Sequence, residues 1–222
     1  MNTKQLIVKC ILMYCIISFW EWFLHKEIMH CDSAKLNKVP IMGPFLAEIS
    51  ESHLNHHKAV NIDMTLKGAD DVRELFFTWK ISIISMILVY FSLRMFKIAQ
   101  PKNAMILTVL LSVLHSVLWN NWHTRMHAIK PDIPLREGMP YIHDFPQGSL
   151  YAYLWKYHAI HHSQKGSKYN YNIIFPLFDD IMKTRAKGFC FDNTEYCKIH
   201  DDDRCSQKKK HCYTNDDVLL NH

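Results

Sequence analysis

The chain has 222 residues, a formal charge of +5 and 49% hydrophobic residues, which is enough for one domain and gives no reason for two. The modest basic excess comes without an aromatic-basic binding motif, so it argues against nucleic acid and for a membrane surface. Seven cysteines, an odd number with Cys10 and Cys15 inside an apolar stretch, argue against a disulfide framework.

Mean hydropathy is near neutral only because it averages a strong segregation. Apolar stretches run from about Leu6 to Leu24, Leu75 to Phe96 and Ala104 to Trp119. At 1.5 Å per residue, about 19 residues span close to 30 Å, the hydrocarbon thickness of a bilayer. The first two stretches reach that length and the third only just does. The first follows basic residues, but no small-residue cleavage site comes after it, so it reads as a retained helix rather than a signal peptide.

The segments between these stretches differ in character. Residues 97–103 form a short polar turn containing Pro101, suited to a tight helical hairpin. Residues 25–74 and 120–222 are long and carry most of the lysines and arginines, which predicts that they are cytoplasmic and the turn outside. Trp20, Trp22, Trp79, Trp119 and Trp122 all fall at the stretch ends that face the long segments, where an indole finds both apolar chains and water. The predicted fold is all-α: an integral membrane protein of about three transmembrane helices with a cytoplasmic histidine-rich metal-binding cap. Residues 1–188 form that membrane-embedded domain, and 189–222 a polar Cys/Lys/Asp-rich tail predicted to be disordered.

Of fifteen histidines, ten fall into four clusters. In chain order these are His25 and His30; His53, His56 and His57; His123 and His127; and His158, His161 and His162. Two of the clusters read HxxHH, where chance at this histidine frequency supplies well under one. On an α-helix, positions i, i+3 and i+4 share a face, so each of the last three clusters can point into one space. His25 and His30 are about 140° apart on such a helix, so they either serve different metals or flank a break. The predicted topology brings all four clusters to one membrane surface. Ten imidazoles are too many for one ion, and two ions with about five ligands each fit the count. Each ligand ring needs an acceptor for its second N–H. Glu21, four residues before His25, is a candidate, as are Glu27, Glu48, Glu51 and Asp144; a solvated charge is the plainer reading of each.

The other histidines read differently. His115, in the third apolar stretch, is either a hydrogen-bonded core histidine or an extra ligand, while His143, His200, His211 and His222 read as surface residues. Cys190, Cys197, Cys205 and Cys212 are spaced too widely for paired CxxC knuckles. With His200 and His211 they make either a tail metal site or scattered thiols.

These clusters resemble those of the fatty acid hydroxylase and sterol desaturase superfamily over roughly residues 15–190. The matching segments are Trp22 to His30, Ser52 to His57, Asn120 to His127, Tyr157 to His162, and Tyr169-Asn170-Tyr171-Asn172 with Asp179-Asp180. The opening HxxxxH cluster is more similar to fatty acyl and carotenoid hydroxylases than to sterol C5-desaturases. The resemblance implies two iron ions held by the ten histidines (zinc being able to replace them during purification), dioxygen as co-substrate, and a membrane lipid as substrate. It also implies electrons from a separate redox partner, such as cytochrome b5 with an NAD(P)H reductase, since no such domain is present. In a eukaryotic host it implies the endoplasmic reticulum membrane. The chain departs from the family in having three predicted spans where many members have four, and a long insert from Ile129 to Leu150. The alternatives are a sterol or carotenoid oxidase or desaturase of the same superfamily, an inactive relative, and a metal-binding or transport membrane protein. Transporters usually place their ligands near the bilayer midplane rather than at helix ends. A zinc hydrolase is weaker, because HExxH is absent.

Overall fold

A computed structural model describes residues 2–61, 64, 66–67, 79–127, 150–163, 168–186, 188–192 and 210–214. Helix α1 (Thr3–Phe23) opens on a capping box, in which the Asn2 side chain accepts the Gln5 N–H at 2.9 Å and Gln5 accepts the Asn2 N–H at 3.2 Å. It continues unbroken into a π-helical segment, Leu24–Met29. A short α2 (Ser33–Leu36) and the longer α3 (Gly43–Ala59) follow. Then α4 (Trp79–Met95) and α5 (Pro101–Leu118) pack as a hairpin. The hairpin turn is a Schellman motif: Ile98 N–H reaches the Leu93 carbonyl, Lys97 N–H reaches Arg94, and Lys97 takes the left-handed position at φ 53°. Pro101 starts α5, where its missing N–H costs nothing. A second π-helical segment, Trp119–His123, leads into α6 (Thr124–Met126), and α7 (Leu150–Ser163) and α8 (Phe178–Ile181) complete the helices.

Two continuous helices, Thr3–Met29 and Pro101–Met126, are long and apolar enough to cross a bilayer. The described part of the middle predicted span is α4, 17 residues, short of bilayer length; residues 75–78 lie outside the described residues. The bundle is inverted relative to a water-soluble one. Leu6, Ile11, Ile87, Phe91, Leu110 and Val113 face outward, while Ser18, Glu21, Ser92, Thr108, Ser112 and His115 are buried. Outward apolar faces with polar groups inside are what hydrocarbon solvent selects, because each inward polar group escapes lipid. Trp20 donates to Ser92 Oγ at 2.9 Å across α1 and α4, and Ser92 donates on to the Leu88 carbonyl. Away from the histidines, Ile16, Val89, Leu93, Ile98 and Ala104 fill the core between these helices.

Beyond α8, β1 (Gly188–Asp192) pairs antiparallel with β2 (Lys210–Thr214), Cys190 standing opposite Cys212. The strand pair is a small addition to a chain whose other described elements are helical, as the all-α expectation has it. The charge of the tail is concentrated between the strands, whereas Phe189-Cys190-Phe191 and His211-Cys212-Tyr213 are β-prone and pair in register. The rest of the tail, including His200 and His222, lies outside the described residues.

Gly43 starts α3 where the chain doubles back on α2, and a Cβ there would collide with the backbone carbonyl of Asn37. Gly43→Ala should therefore destabilise the protein by about 1–3 kcal/mol through overpacking. Thermal melting in detergent checks this, and an unchanged Tm would mean that the α2–α3 turn yields freely.

Candidate metal centre

Four helical elements bring the histidines to one end of the bundle. The π-helical extension of α1 carries His25 and ends at His30, α3 carries His53, His56 and His57, the π-helical segment after α5 carries His123, His127 caps α6, and α7 carries His158, His161 and His162. They gather in two groups whose donor atoms lie within 4.8 Å of one another. One group is His25, His30, His53, His57 and His161; the other is His56, His123, His127, His158 and His162.

His25 and His30 enter the same group, although an α-helix would set them about 140° apart. The reason is the helix type. A π turn closes on the fifth residue, so i and i+5 share a face. Here His30 N–H donates to the His25 carbonyl at 3.0 Å. The HxxHH clusters also differ from the expectation that each faces one space. In α3 the i, i+4 pair His53 and His57 joins the first group and His56 the second. In α7 the i, i+4 pair His158 and His162 joins the second group and His161 the first. His57 and His162 stack between the groups, ring centroids 4.2 Å apart.

The convergence is closer than a hydrogen-bond network can account for and has the form of a group that could hold an ion. His53 Nε2 lies 2.9 Å from His25 Nε2, 3.0 Å from His30 Nε2 and 3.1 Å from His57 Nε2. One ring nitrogen has a single proton or a single lone pair, so it cannot make three such bonds. His53, His30, His161 and His57 form a closed ring of Nε2 atoms, with successive separations of 3.0, 3.1, 3.2 and 3.1 Å. With metal–nitrogen bonds of about 2.1 Å, ligands at right angles stand about 3.0 Å apart and tetrahedral ones about 3.4 Å. Separations of 3.0–3.2 Å are of the size that nitrogens sharing one ion would have. In the second group His56, His162, His158 and His127 follow at 3.2, 3.1 and 3.1 Å.

Ring orientation is set from behind. His25 Nδ1 donates to the Tyr171 carbonyl (2.5 Å), His161 Nδ1 to Tyr169 (2.6 Å) and His127 Nδ1 to Met64 (3.0 Å). A carbonyl only accepts, so each Nδ1 carries the proton and each Nε2 presents a bare lone pair. Met64 holds its carbonyl there from the left-handed region, at φ 72°. Burial keeps the imidazoles neutral. His53, His56, His57, His158 and His162 are held well below the usual histidine range by desolvation and by neighbouring rings. His127 and His161 are brought down to about 4 by burial, and His30 to about 2 by burial and the adjacent His161.

The acids serve one step further out than expected. Glu21 does not accept from His25; it is buried and accepts the backbone N–H groups of Ile173, Ile174 and Phe175 at 2.8, 2.7 and 2.9 Å. Asp179, which had no role in the sequence reading, accepts the N–H groups of Tyr171 and Asn172 (3.0 and 2.7 Å) and the hydroxyls of Tyr157 and Thr184 (2.8 and 2.6 Å). Together they fix residues 171–175, and with them the carbonyl that orients His25. Asn170, left-handed at φ 57°, locks Tyr169 beside them by donating to the Tyr157 carbonyl at 3.0 Å. The available signal was the polar run Tyr169 to Asn172 followed by Asp179, but nothing local said that it would be buried. Glu27 pairs with Lys26 and Glu48 with Lys80, Glu51 is exposed, and Asp144 and His143 lie outside the described residues. His115 joins neither group; it is buried, its Nε2 4.0 Å from Glu21.

Two tests follow from this geometry. An unfolded imidazole titrates near 6.5, and these are lower when folded, so the unfolded chain binds more protons below that pH. Stability of the metal-free protein should be full above about pH 6.5 and fall as the pH drops toward about 4. Melting in detergent at about pH 7.5 and about pH 5 measures it, and equal Tm values would contradict burial of neutral rings. Asp179→Asn puts an amide donor against four donors and should cost about 2–3 kcal/mol; a Tm within error of wild type would remove Asp179 from the framework.

The fatty acid hydroxylase family model matches residues 10–184 and so takes in all ten histidines, Glu21 and Asp179. No individual curated protein and no solved structure is similar enough to register a match. With 175 of 222 residues matched (10 to 184 inclusive), the chain belongs to the fatty acid hydroxylase family, within the hydroxylase and desaturase superfamily of membrane-associated oxidoreductases.

Proposed function

We propose that the chain is a dioxygen-dependent lipid hydroxylase whose ten clustered histidines hold two iron ions. The observation that carries this reading is the pair of interlocked five-histidine groups at one end of an inverted helix bundle. Bound iron would supply the oxidant for an unactivated C–H bond: one oxygen atom enters that bond and the other leaves as water, using two electrons and two protons. The protein's own work is holding, orienting and drying. His25, His30, His53, His57 and His161 hold one ion; His56, His123, His127, His158 and His162 hold the other. The carbonyls of Tyr171, Tyr169 and Met64 aim three of the rings. Trp119, whose ring stands 4.8 Å from His123 and 6.1 Å from His25, helps exclude water on the bilayer side.

A narrow cavity of about 20 Å³ adjoins His25 between α1, α4 and α5, its wall mixing apolar side chains such as Ile17, Leu24 and Val89 with the polar Glu21, Ser112 and His115. Its place favours a lipid chain approaching the first group from within the bilayer, with the cavity opening as the chain enters. Electrons come from a separate redox protein docking on the cap. We place α4 as a third crossing, the 97–103 turn outside and the histidines on the cytoplasmic face, on the strength of the lysine and tryptophan distribution.

Two predictions follow. Gently purified protein should carry close to two transition-metal ions per chain by elemental analysis; one ion would sink the paired centre, whereas zinc in place of iron would not. In a host expressing the chain, lipid analysis should show a hydroxylated product that disappears in His161→Ala at normal membrane abundance. His200→Ala should leave the product unchanged, and wild-type product from His161→Ala would overturn the assignment.

A further inference from the structure

The outward face of α4 presents Trp79, Ile83, Ile87 and Phe91 in one i, i+4 stripe, with Phe91 65% exposed and Trp79 64%. The stripe does not end with the helix. The Trp79 ring meets the Phe45 ring edge-on at 6.1 Å, Lys80 lies 5.9 Å over the same Phe45 ring, and Lys80 pairs with Glu48. The start of α3 is thus docked on the end of α4 nearest the histidines. Immediately before it, Val39-Pro40-Ile41-Met42 forms a turn with Val39 and Met42 exposed and Ile41 98% exposed.

That turn is built rather than loose. Val39 N–H bonds the Leu36 carbonyl and Gly43 N–H bonds the Val39 carbonyl, each at 2.9 Å, and only a glycine fits at 43 against Asn37. Ile41 sits in the left-handed region at φ 66°, which a β-branched residue adopts at a cost. A rigid turn that thrusts four consecutive apolar residues outward loses on both counts in water. Lys35 and Lys38 are exposed beside it.

We propose that the 39–42 turn inserts into the bilayer interface next to α4, with Lys35 and Lys38 on the phosphates of anionic lipids. The proposal rests on the reading of α4 as a membrane crossing. Two features choose lipid over a protein partner: the turn continues the lipid-facing stripe through Phe45 and Trp79, and the exposed charges next to it in the chain, Lys35 and Lys38, are basic. The insertion pins the α2–α3 unit to the bilayer, and so holds His53, His56 and His57 at a fixed height against the histidines of the spanning helices.

The full chain, with its native cysteines replaced by serine, is reconstituted in nanodiscs of zwitterionic lipid with or without anionic lipid. Single sites Ile41→Cys, Phe91→Cys and Lys168→Cys carry an environment-sensitive fluorophore. Quenching is read with lipids bearing a nitroxide at shallow or deep positions. Ile41 is almost fully exposed, so its replacement leaves the packing intact. The expected result is at least about threefold stronger shallow-lipid quenching at Ile41 than at the exposed Lys168. Lys35→Glu with Lys38→Glu should reduce it in anionic nanodiscs and leave it unchanged in neutral ones. Deep-lipid quenching at Phe91 with water-like emission at Ile41 overturns the proposal alone, and points to a protein partner for the turn. No quenching at Phe91 overturns the crossing on which it rests. Should the cysteine-free protein fail to fold, a photo-crosslinking residue at Ile41 in the native chain gives the same decision, with adducts to lipid supporting insertion and their absence overturning it.

Discussion

A neutral imidazole has one lone pair and one N–H, and the lone pair has a fixed direction only when the N–H is tied down. In this protein the ties are backbone carbonyls. Tyr171 holds His25, Tyr169 holds His161 and Met64 holds His127. A carbonyl is only as well placed as its own chain, and here Glu21 and Asp179 supply the placement by gathering the N–H groups of residues 171–175. The two carboxylates therefore act on the histidines without touching them. Both are buried, which is tolerable because Glu21 accepts three hydrogen bonds and Asp179 four.

The exchange of ligands between the groups follows from the same economy of space. Each HxxHH helix sends its i, i+4 pair to one group and its i+3 ring to the other. Neither group is complete without both α3 and α7, so the two assemble together. The first cluster would break the pattern on an α-helix, and the π-helical extension of α1 restores it by turning His25 and His30 to one side. A matching π-helical segment, Trp119–His123, precedes the third cluster. Both helices that are long enough to cross a bilayer among the described residues thus widen where they leave the apolar bundle and meet the histidines.

The bundle supports this by being polar inside. Ser18 donates to the Phe175 carbonyl at 2.6 Å, and Trp22 donates to Thr184 at 2.9 Å, tying α1 to the segment that carries the aiming carbonyls. Such bonds are favoured because hydrocarbon offers a polar group no alternative partner. The first long apolar helix is thereby also the helix that fixes the histidine framework.

Much of this was legible in the order of residues. Runs of about twenty apolar side chains and clusters spaced three or four apart report local periodicity, and local periodicity is a property of the chain alone. The ten histidines, their gathering at one end and their number relative to one coordination sphere could all be reached that way. The division of the ten between two groups could not. It depends on which face each helix turns to its neighbours, and for His25 and His30 on a helix type that spacing alone does not reveal. Glu21 was only a candidate partner for His25, with a solvated charge the plainer reading, because its hydrogen bonds across about 150 residues are made only when the chain has folded; Asp179 was given no role. The strand pair of the tail was hidden for a related reason: composition counts its charges, whereas pairing depends on which few residues lie opposite one another. Short-range spacing chose the chemistry, and long-range packing decided which atoms carry it, since a donor finds its acceptor through space and not along the chain.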